Sequence, residues 1–248
     1  TGCGSDNNNS KSTNTDSTSA DTALDAKTRA IVNSMTLTQK IDYLRQIGEN
    51  WIHANDELKI PNVVGRDSPN GIRIDQTIFG VQYPSQKVLA STWDIDLVKE
   101  YGARLGYETK SSGGELAIAP SLNMYRTPFG GRSSQYICGE DSFQCSYYAP
   151  AMVNGIQSQG ILTSISHFIM NDQEANRKSV NIEVDDTTMR EDYFLPFESA
   201  VKNSDPTSIM CAFTYVNGSI ACESNYLITQ VLKNDWGFKG FVASDYQT

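Results

Sequence analysis

The chain has 248 residues, of which 39% are hydrophobic, so it can bury the core of one large domain or of part of a larger one. Its formal net charge of −9 argues against a partner with a phosphate backbone, which requires clustered Lys and Arg, and we expect no nucleic acid to bind. No apolar run approaches the length of a membrane span, so we expect no transmembrane segment.

Residues 1–23 are predicted to form a disordered polar tether. Residues 4–22 are mainly Ser, Asn, Asp and Thr, and such a composition buries too little apolar surface to order itself. Cys3 follows Thr1-Gly2, which resembles the end of a bacterial lipoprotein signal. Two interpretations stay open: a lipid anchor at Cys3, or an arbitrary start of the sequence.

Residues 24–248 are predicted to form one partial domain, in which helices come first. A helix is expected around residues 30–35, and Thr36-Leu37-Thr38-Gln39 is the pattern of a capping box that begins a second helix. That second helix would carry Leu37, Ile41, Leu44 and Ile47 on one face.

Strand-like and helix-like stretches then alternate along the chain. The predicted strands are 63–65, 116–119, 162–165, 209–212 and 241–243. The predicted helices are one through Leu97, Tyr101 and Leu105, one over 151–159, one through Met189, Tyr193, Phe197 and Val201 with a kink at Pro196, and one over 227–236.

The strands are continuously apolar rather than alternating, which predicts an α/β fold with a parallel sheet buried on both faces. Two architectures fit: an open doubly wound sheet, or a (β/α) barrel of TIM type that is incomplete at its C-terminus, since such a barrel closes at eight strands. An open sheet would bring a phosphate-binding glycine turn after its first strand, and Gly65-Arg66-Asp67-Ser68-Pro69 is unlike one. We therefore favour the incomplete barrel.

The cysteines indicate the compartment. Cys138 lies close to Cys145 in sequence, and Cys211 lies close to Cys222 across a turn at residues 215–218. Free buried thiols are the alternative to two disulfides. Because the chain also has the glycosylation sequons Asn8-Asn9-Ser10 and Asn217-Gly218-Ser219, we expect a secreted or envelope-associated glycoprotein with both disulfides.

Polar groups follow the predicted strands at their C-terminal ends, where barrel enzymes carry their active sites. Asp245 follows the last strand, and a helix N-cap is the simpler interpretation of that residue taken alone. The groups after the strands are Asp67 to Arg73, Arg126 to Arg132, Ser166-His167-Phe168 with Asn171 to Glu174, Phe213, and Asp245. Asp, Arg and His around one pocket suit a polyhydroxylated ligand.

These motifs together resemble the N-terminal barrel domain of glycoside hydrolase family 3, in the β-glucosidase branch, over residues 28–248. The N-acetylglucosaminidase branch fits poorly, because it carries a His-containing loop where this chain has Asn171-Asp172-Gln173-Glu174. The matching segments are Asp67-Ser68-Pro69-Asn70-Gly71-Ile72-Arg73, Tyr83-Pro84-Ser85, Ala90-Ser91-Thr92-Trp93-Asp94, Pro128-Phe129-Gly130-Gly131-Arg132, His167-Phe168, Met210-Cys211-Ala212, Val216-Asn217-Gly218 and residues 236–241 with Ser244-Asp245.

The resemblance implies a retaining hydrolase that removes terminal β-D-glucosyl residues from a glucoside or β-linked oligosaccharide, with Asp245 as the nucleophile. It implies no metal and no organic cofactor, and it leaves the oligomeric state open. The side chains that would hold or border the sugar are Asp67, Arg73, Arg132, His167 and Met210.

The chain departs from the family pattern at substrate-contacting positions. Ser166 stands where the family has Lys, Phe213 where it has Tyr, Gln135 where it has Glu, and Tyr246 where it has Trp. The departures at Ser166 and Phe213 keep open a non-catalytic sugar-binding homologue. A β-xylosidase of the same family is a further alternative, because the sequence does not distinguish glucose from xylose as the sugar.

The second catalytic carboxylate is the larger departure. The family takes its acid/base residue from a C-terminal domain, so we expect this chain alone to be weak or inactive. Glu140 and Glu174 are carboxylates in this chain, but the family pattern gives them loop-shaping roles.

Overall fold

The computed structural model describes residues 15–44, 50–75 and 77–245, without the side chains of residues 15–24 and 50. The chain divides into two compact units, residues 1–48 with 52–62, and residues 49–51 with 63–248. Cys3, Asn8, Ile47 and Tyr246 lie outside the described residues, so the expectations for them stay predictions.

The first unit carries two helices, α1 (Thr15–Ser34) and α2 (Leu37–Tyr43). The capping box is confirmed: the Thr36 hydroxyl accepts a hydrogen bond from the Gln39 amide, and the Gln39 side chain accepts one from the Thr36 amide. α1 begins at Thr15, inside the segment expected to be a tether. The predicted apolar face of α2 is solvent-exposed, with Leu37 at 74%.

The strands in chain order are β1 (Asn50–Ile52), β2 (Val63–Asp67), β3 (Leu116–Ile118), β4 (Leu162–Phe168), β5 (Asn181–Ile182), β6 (Ser208–Cys211), β7 (Tyr215–Val216), β8 (Ser219–Ile220) and β9 (Phe241–Ser244). All five predicted strands are present, as β2, β3, β4, β6 and β9, and each pairs in parallel with the next. The order in the main sheet is β1-β2-β3-β4-β6-β9, and a small sheet has the order β5-β7-β8.

The main sheet curls into part of a barrel. β1 and β9 stand at opposite edges of the sheet, yet the rings of Trp51 and Phe241 meet edge to face with centroids 6.4 Å apart. Trp51 also lies against β2, because a Cβ atom at Gly65 would come within 2.2 Å of its indole nitrogen. In the part of the chain that is described, β9 has a strand partner on one side only.

The remaining helices are α3 (Gln86–Ala90), α4 (Ile95–Ser111), α5 (Ser142–Gln157), α6 (Asp186–Thr188) and α7 (Leu195–Ser204), with a π-helical turn at Met189–Tyr193, a 3-10 turn at Ala221–Glu223 and a π-helix at Asn225–Asp235. α5 begins well before the predicted residue 151, because the Asp141 side chain caps it by accepting from the Gln144 amide. Pro196 lies in the first turn of α7, where proline fits without kinking the helix. None of the described helices is long and apolar enough to cross a membrane.

The backbones of helices α4 and α5 are in close contact. A Cβ atom at Gly155 would lie 2.2 Å from the Lys99 carbonyl oxygen, so only glycine permits this approach. The buried face of α4 contains Val98, Tyr101 and Leu105, whereas Leu97, predicted for that face, is 40% exposed. The buried apolar face of α4 therefore begins at Val98, one residue later than the sequence pattern indicated.

Both predicted disulfides are present. Cys138 and Cys145 are bonded with Cα atoms 4.6 Å apart, and Cys211 and Cys222 are bonded with Cα atoms 5.2 Å apart. The first ties the loop after β3 to the start of α5, and the second ties β6 to the 3-10 turn at Ala221–Glu223. The two bonds therefore anchor loops on the side of the sheet where the candidate site lies.

Candidate active site

A cavity of about 280 Å³ opens at the C-terminal end of the parallel strands. This volume is close to the lower end of the range for small-molecule pockets and suits a ligand of about one sugar ring. Parallel pairing brings the ends of β2, β4, β6 and β9 to the same edge of the sheet. The lining residues are Asp67, Pro69, Arg73, Ile118, Ser121, Arg132, Gln135, Ser166, His167, Arg177, Met210 and Asp245.

Asp67 and Arg73 form one wall of the cavity. Asp67 is the last residue of β2, and its Oδ2 lies 3.0 Å from Nη2 of Arg73. The loop folds back on the strand, because the Arg73 amide donates to the Asp67 carbonyl. Both side chains are more than one-third exposed, so water screens this pair and leaves polar atoms accessible to a ligand.

His167 is buried and held by Asn123. The Asn123 amide accepts from the His167 backbone N–H at 2.8 Å and donates to its carbonyl at 2.9 Å. The ring Nδ1 lies 3.4 Å from the same Asn123 Oδ1, which assigns the proton to Nδ1 and leaves Nε2 to accept from Arg132 Nη1 at 3.2 Å. Burial, reinforced by the charges of Arg132 and Arg177, lowers the His167 pKa to about 3.

Asp245 follows β9 directly and is only 4% exposed. Its Oδ2 lies 3.6 Å from Nη1 of Arg177 and 3.7 Å from Nε2 of His167. Because His167 is neutral with its proton on Nδ1, the contact with His167 is not an ion pair. Arg177 is a cationic neighbour of this carboxylate.

Glu174 joins two arginines behind the cavity. Its carboxylate accepts from Arg132 through two nitrogens, at 2.9 and 3.1 Å, and it lies 3.4 Å from Arg177 Nη1. A bidentate pair of this kind fixes the plane of the guanidinium group. Glu140 is exposed and does not line the cavity.

A family model described as the glycosyl hydrolase family 3 N terminal domain matches residues 17–248. The chain belongs to glycoside hydrolase family 3. The resemblance on the sequence motifs is thereby confirmed.

Individual members of family 3 agree with this assignment. The chain is 36% identical over 226 residues to beta-glucosidase B of Emericella nidulans, covering 89% of this chain and 26% of that protein. It is 36% identical over 230 residues to thermostable beta-glucosidase B of Acetivibrio thermocellus, covering 88% of this chain and 30% of that protein. The chain therefore spans about a quarter to a third of the length of these relatives.

A solved family 3 structure has the same fold. Beta-glucosidase 3B from Thermotoga neapolitana in complex with glucose superposes with a TM-score of 0.82 at 33% identity, over 88% of this chain and 34% of that one. The curled sheet of this chain is thus consistent with part of a family 3 barrel.

Two positions expected to depart from the family pattern, Ser166 and Phe213, differ in their relation to the cavity. Ser166 lines the cavity, and its hydroxyl lies 3.2 Å from that of Ser121. Phe213 does not line the cavity; its ring lies 4.8 Å from both the Arg177 guanidinium and the Lys178 ammonium. Phe213 therefore supports Arg177 by a cation–π contact rather than facing the ligand space.

Sequence reasoning missed three residues of this site, Ser121, Arg177 and Asn123. Arg177 stands three residues after Glu174, a spacing that signals an ion pair but not a place in the cavity. Asn123 belongs to an irregular segment after β3 and gave no signal. Among the described residues there is no group of three His, Cys, Asp or Glu side chains that could hold a metal ion.

Proposed function

We propose that the full-length gene product is a retaining glycoside hydrolase that removes terminal non-reducing β-D-glucosyl residues. The main sheet is the first part of a TIM-type barrel in this proposal. The observation that carries it is the placement of a buried carboxylate, Asp245, in one cavity with Asp67, Arg132 and His167. The names of the related proteins support glucose as the sugar.

In the proposed reaction the Asp245 carboxylate attacks the anomeric carbon of the bound sugar. The bond from that carbon to the leaving oxygen breaks, and an ester joins the sugar to Asp245. Water then attacks the anomeric carbon and the bond from that carbon to Asp245 breaks, which releases the sugar and restores the carboxylate. The proton of this water goes to a second carboxyl group, which acts as the base in this step. Arg177 places a positive charge beside Asp245, and neutral His167 contributes a fixed polar edge rather than a proton.

A second carboxyl group must give the leaving oxygen its proton, about 5 to 5.5 Å from the nucleophile. The carboxylates lining the described cavity are Asp67 and Asp245, and Asp67 is paired with Arg73. We propose that the acid comes from a part of the full-length protein beyond this chain, as the family resemblance implies. The 248-residue chain alone is then expected to bind sugar and to turn it over weakly or not at all.

One observation favours a second candidate, a sugar-binding homologue without catalysis. The resemblance implies that Ser166 and Phe213 stand where the family has Lys and Tyr. In this structure Ser166 contacts Ser121 and Phe213 lies against Arg177, so they offer a sugar fewer charged or polar contacts. A charge-assisted hydrogen bond stabilises by about 1.5 to 3 kcal/mol, so their loss costs transition-state binding. Glucose binding without any covalent step would identify this candidate.

Two disulfides support an oxidising compartment for the protein, and we propose that it is secreted or held at the cell envelope. A lipid anchor at Cys3 stays part of this proposal. The Asn217 side-chain amide accepts a hydrogen bond from the Val184 N–H and donates one to the Val184 carbonyl, each at 2.9 Å. Glycosylation of the Asn217 nitrogen would disturb these two hydrogen bonds.

The test is covalent trapping in the full-length gene product. A 2-deoxy-2-fluoro-β-glucoside with a good leaving group should add one fluorosugar to the peptide that contains Asp245, as read by mass spectrometry. The Asp245→Asn variant should gain no label and no turnover, because an amide does not form the glycosyl ester. Labelling at another residue, or ordinary turnover by Asp245→Asn, would remove Asp245 from the nucleophile role.

A further inference from the structure

Two guanidinium groups share one carboxylate behind the cavity. Oε1 of Glu174 lies 2.9 Å from Nε of Arg132, and Oε2 lies 3.1 Å from Nη2 of Arg132 and 3.4 Å from Nη1 of Arg177. Asn171 adds a donor at 3.3 Å from Oε1. Both carboxylate oxygens are therefore occupied.

The Glu174 side chain has little freedom to leave this position. Its backbone N–H donates to the Gly130 carbonyl at 2.9 Å, which joins the loop after β4 to the loop after β3. Gly131 has a φ of 95°, and a Cβ atom there would lie 2.9 Å from the Glu174 Cγ. Gly131 leaves room for the Glu174 side chain, which stays between the two loops.

Each arginine also contacts a residue of the cavity, Arg132 through a nitrogen that does not face Glu174 and Arg177 through the same Nη1 that faces Glu174. Arg132 reaches His167 Nε2 with Nη1 at 3.2 Å, and Arg177 approaches Asp245 Oδ2 with Nη1 at 3.6 Å. Without the Glu174 charge, Asp245 would be left as a carboxylate next to Arg177, and its attraction in this partly buried site would draw the guanidinium closer. A contact shorter than the present 3.6 Å ion pair, with a hydrogen bond between the two groups, would make Asp245 less available to attack carbon.

We propose that Glu174 is a positioning residue that makes Arg132 and Arg177 act as one unit, so that Arg177 stays near Asp245 without blocking it. This inference rests on the proposed function. It assigns no contact between Glu174 and the sugar: Glu174 acts through the two arginines. The role goes beyond shaping the loop, because it depends on the negative charge and not only on the volume of the side chain.

The test is a double-mutant cycle in the full-length gene product, with kcat/KM for an aryl β-D-glucoside as the measurement. Glu174→Gln keeps the shape and removes the charge, and we expect kcat/KM to fall by roughly 100-fold. In the double variant with Arg132→Lys, the fold-loss in kcat/KM should be at least about 10-fold smaller than the product of the two single fold-losses, because both changes disrupt the same unit.

Arg73→Lys provides the matched cycle, since Arg73 pairs with Asp67 and has no recorded contact with Glu174. In the double variant, the fold-losses in kcat/KM caused by Arg73→Lys and by Glu174→Gln should multiply. Glu140→Gln, the same change at an exposed glutamate, should leave kcat/KM within about 2-fold of wild type. Losses that multiply equally with Arg132→Lys and with Arg73→Lys would overturn the proposal. If Glu174→Gln does not fold, Glu174→Met, which also removes the charge at a similar side-chain volume, replaces it in both cycles.

A second readout separates this inference from the proposed function. If the wild-type protein hydrolyses no glucoside, the proposed function is contradicted. The inference about Glu174 is then tested without activity, by measuring hydrogen exchange of the Arg132 Nε–H by NMR. Exchange of this proton should be slow in wild type and in Glu140→Gln and fast in Glu174→Gln. Equally fast exchange in wild type and Glu174→Gln would overturn the inference by itself.

Discussion

Nη1 of Arg132 lies 3.2 Å from Nε2 of His167, and this contact makes the imidazole an acceptor. The other ring nitrogen faces the Asn123 side-chain oxygen, so the proton belongs there. His167 is therefore a neutral, oriented group in the site, although a carboxylate stands 3.7 Å away. Its titration should reveal this arrangement.

We expect His167 to stay neutral from pH 8 down to about pH 4, because burial first, and then the charges of Arg132 and Arg177, lower its pKa to about 3. Imidazole NMR signals measured against pH would show this, with the solvent-accessible His in an unfolded sample as the control. The unfolded chain takes up a proton near pH 6.5 and the folded chain does not, so stability is expected to fall as pH drops from about 6.5 to about 3. A His167 signal that titrates near pH 6.5 would contradict the assignment.

Asp172 should make the free energy of unfolding depend on pH in the opposite direction to His167. Burial raises its pKa to about 7, against opposing effects of Arg126, the Tyr193 hydroxyl and the Met124 amide. Between about pH 4 and 7 the folded chain holds a proton that the unfolded chain has lost, so stability falls as pH rises through this window. Asp172→Asn should flatten this part of the profile, as measured by urea midpoints at pH 5, 6, 7 and 8. An unchanged slope would show that Asp172 does not titrate there.

Ser166→Lys should raise the activity of the full-length gene product by roughly 10- to 100-fold in kcat/KM. The serine hydroxyl lines the cavity beside Ser121, and an ammonium there would add a charge-assisted contact to a sugar hydroxyl. Ser179→Lys, at an exposed serine, adds the same charge outside the cavity and should have no such effect. Activity that falls in Ser166→Lys while the fold is kept would mean that the cavity takes a different ligand pose.

Removing the disulfide between Cys211 and Cys222 should destabilise the protein by about 2 to 4 kcal/mol, chiefly by freeing the unfolded chain. Cys222→Ala with Cys211→Ala tests this by urea unfolding under oxidising conditions. Cys138→Ala with Cys145→Ala, which removes the other disulfide, provides the comparison. Equal midpoints for oxidised wild type and the Cys211 and Cys222 double variant would contradict the expected contribution.

The sequence by itself determined the features that depend on short-range chemistry. The capping box of Thr36 and Gln39 closes within one helical turn, and the apolar runs became β2, β3, β4, β6 and β9 because a buried strand needs apolar side chains on both faces. The pairings of Cys138 and Cys211 with their near neighbours followed from short loops. The motif order was specific enough to indicate family 3.

Only the tertiary structure decided which side chains that are far apart in sequence contact each other. Arg177 approaches Asp245 across 68 positions of sequence, and Asn123 holds His167 across 44, because parallel strands bring their C-terminal ends together. The burial of Val98 in place of Leu97 depends on where α4 meets α5. Phe213 lies beneath a guanidinium rather than in the cavity for the same reason. Packing between separate elements sets such contacts, and no local pattern in the chain encodes that packing.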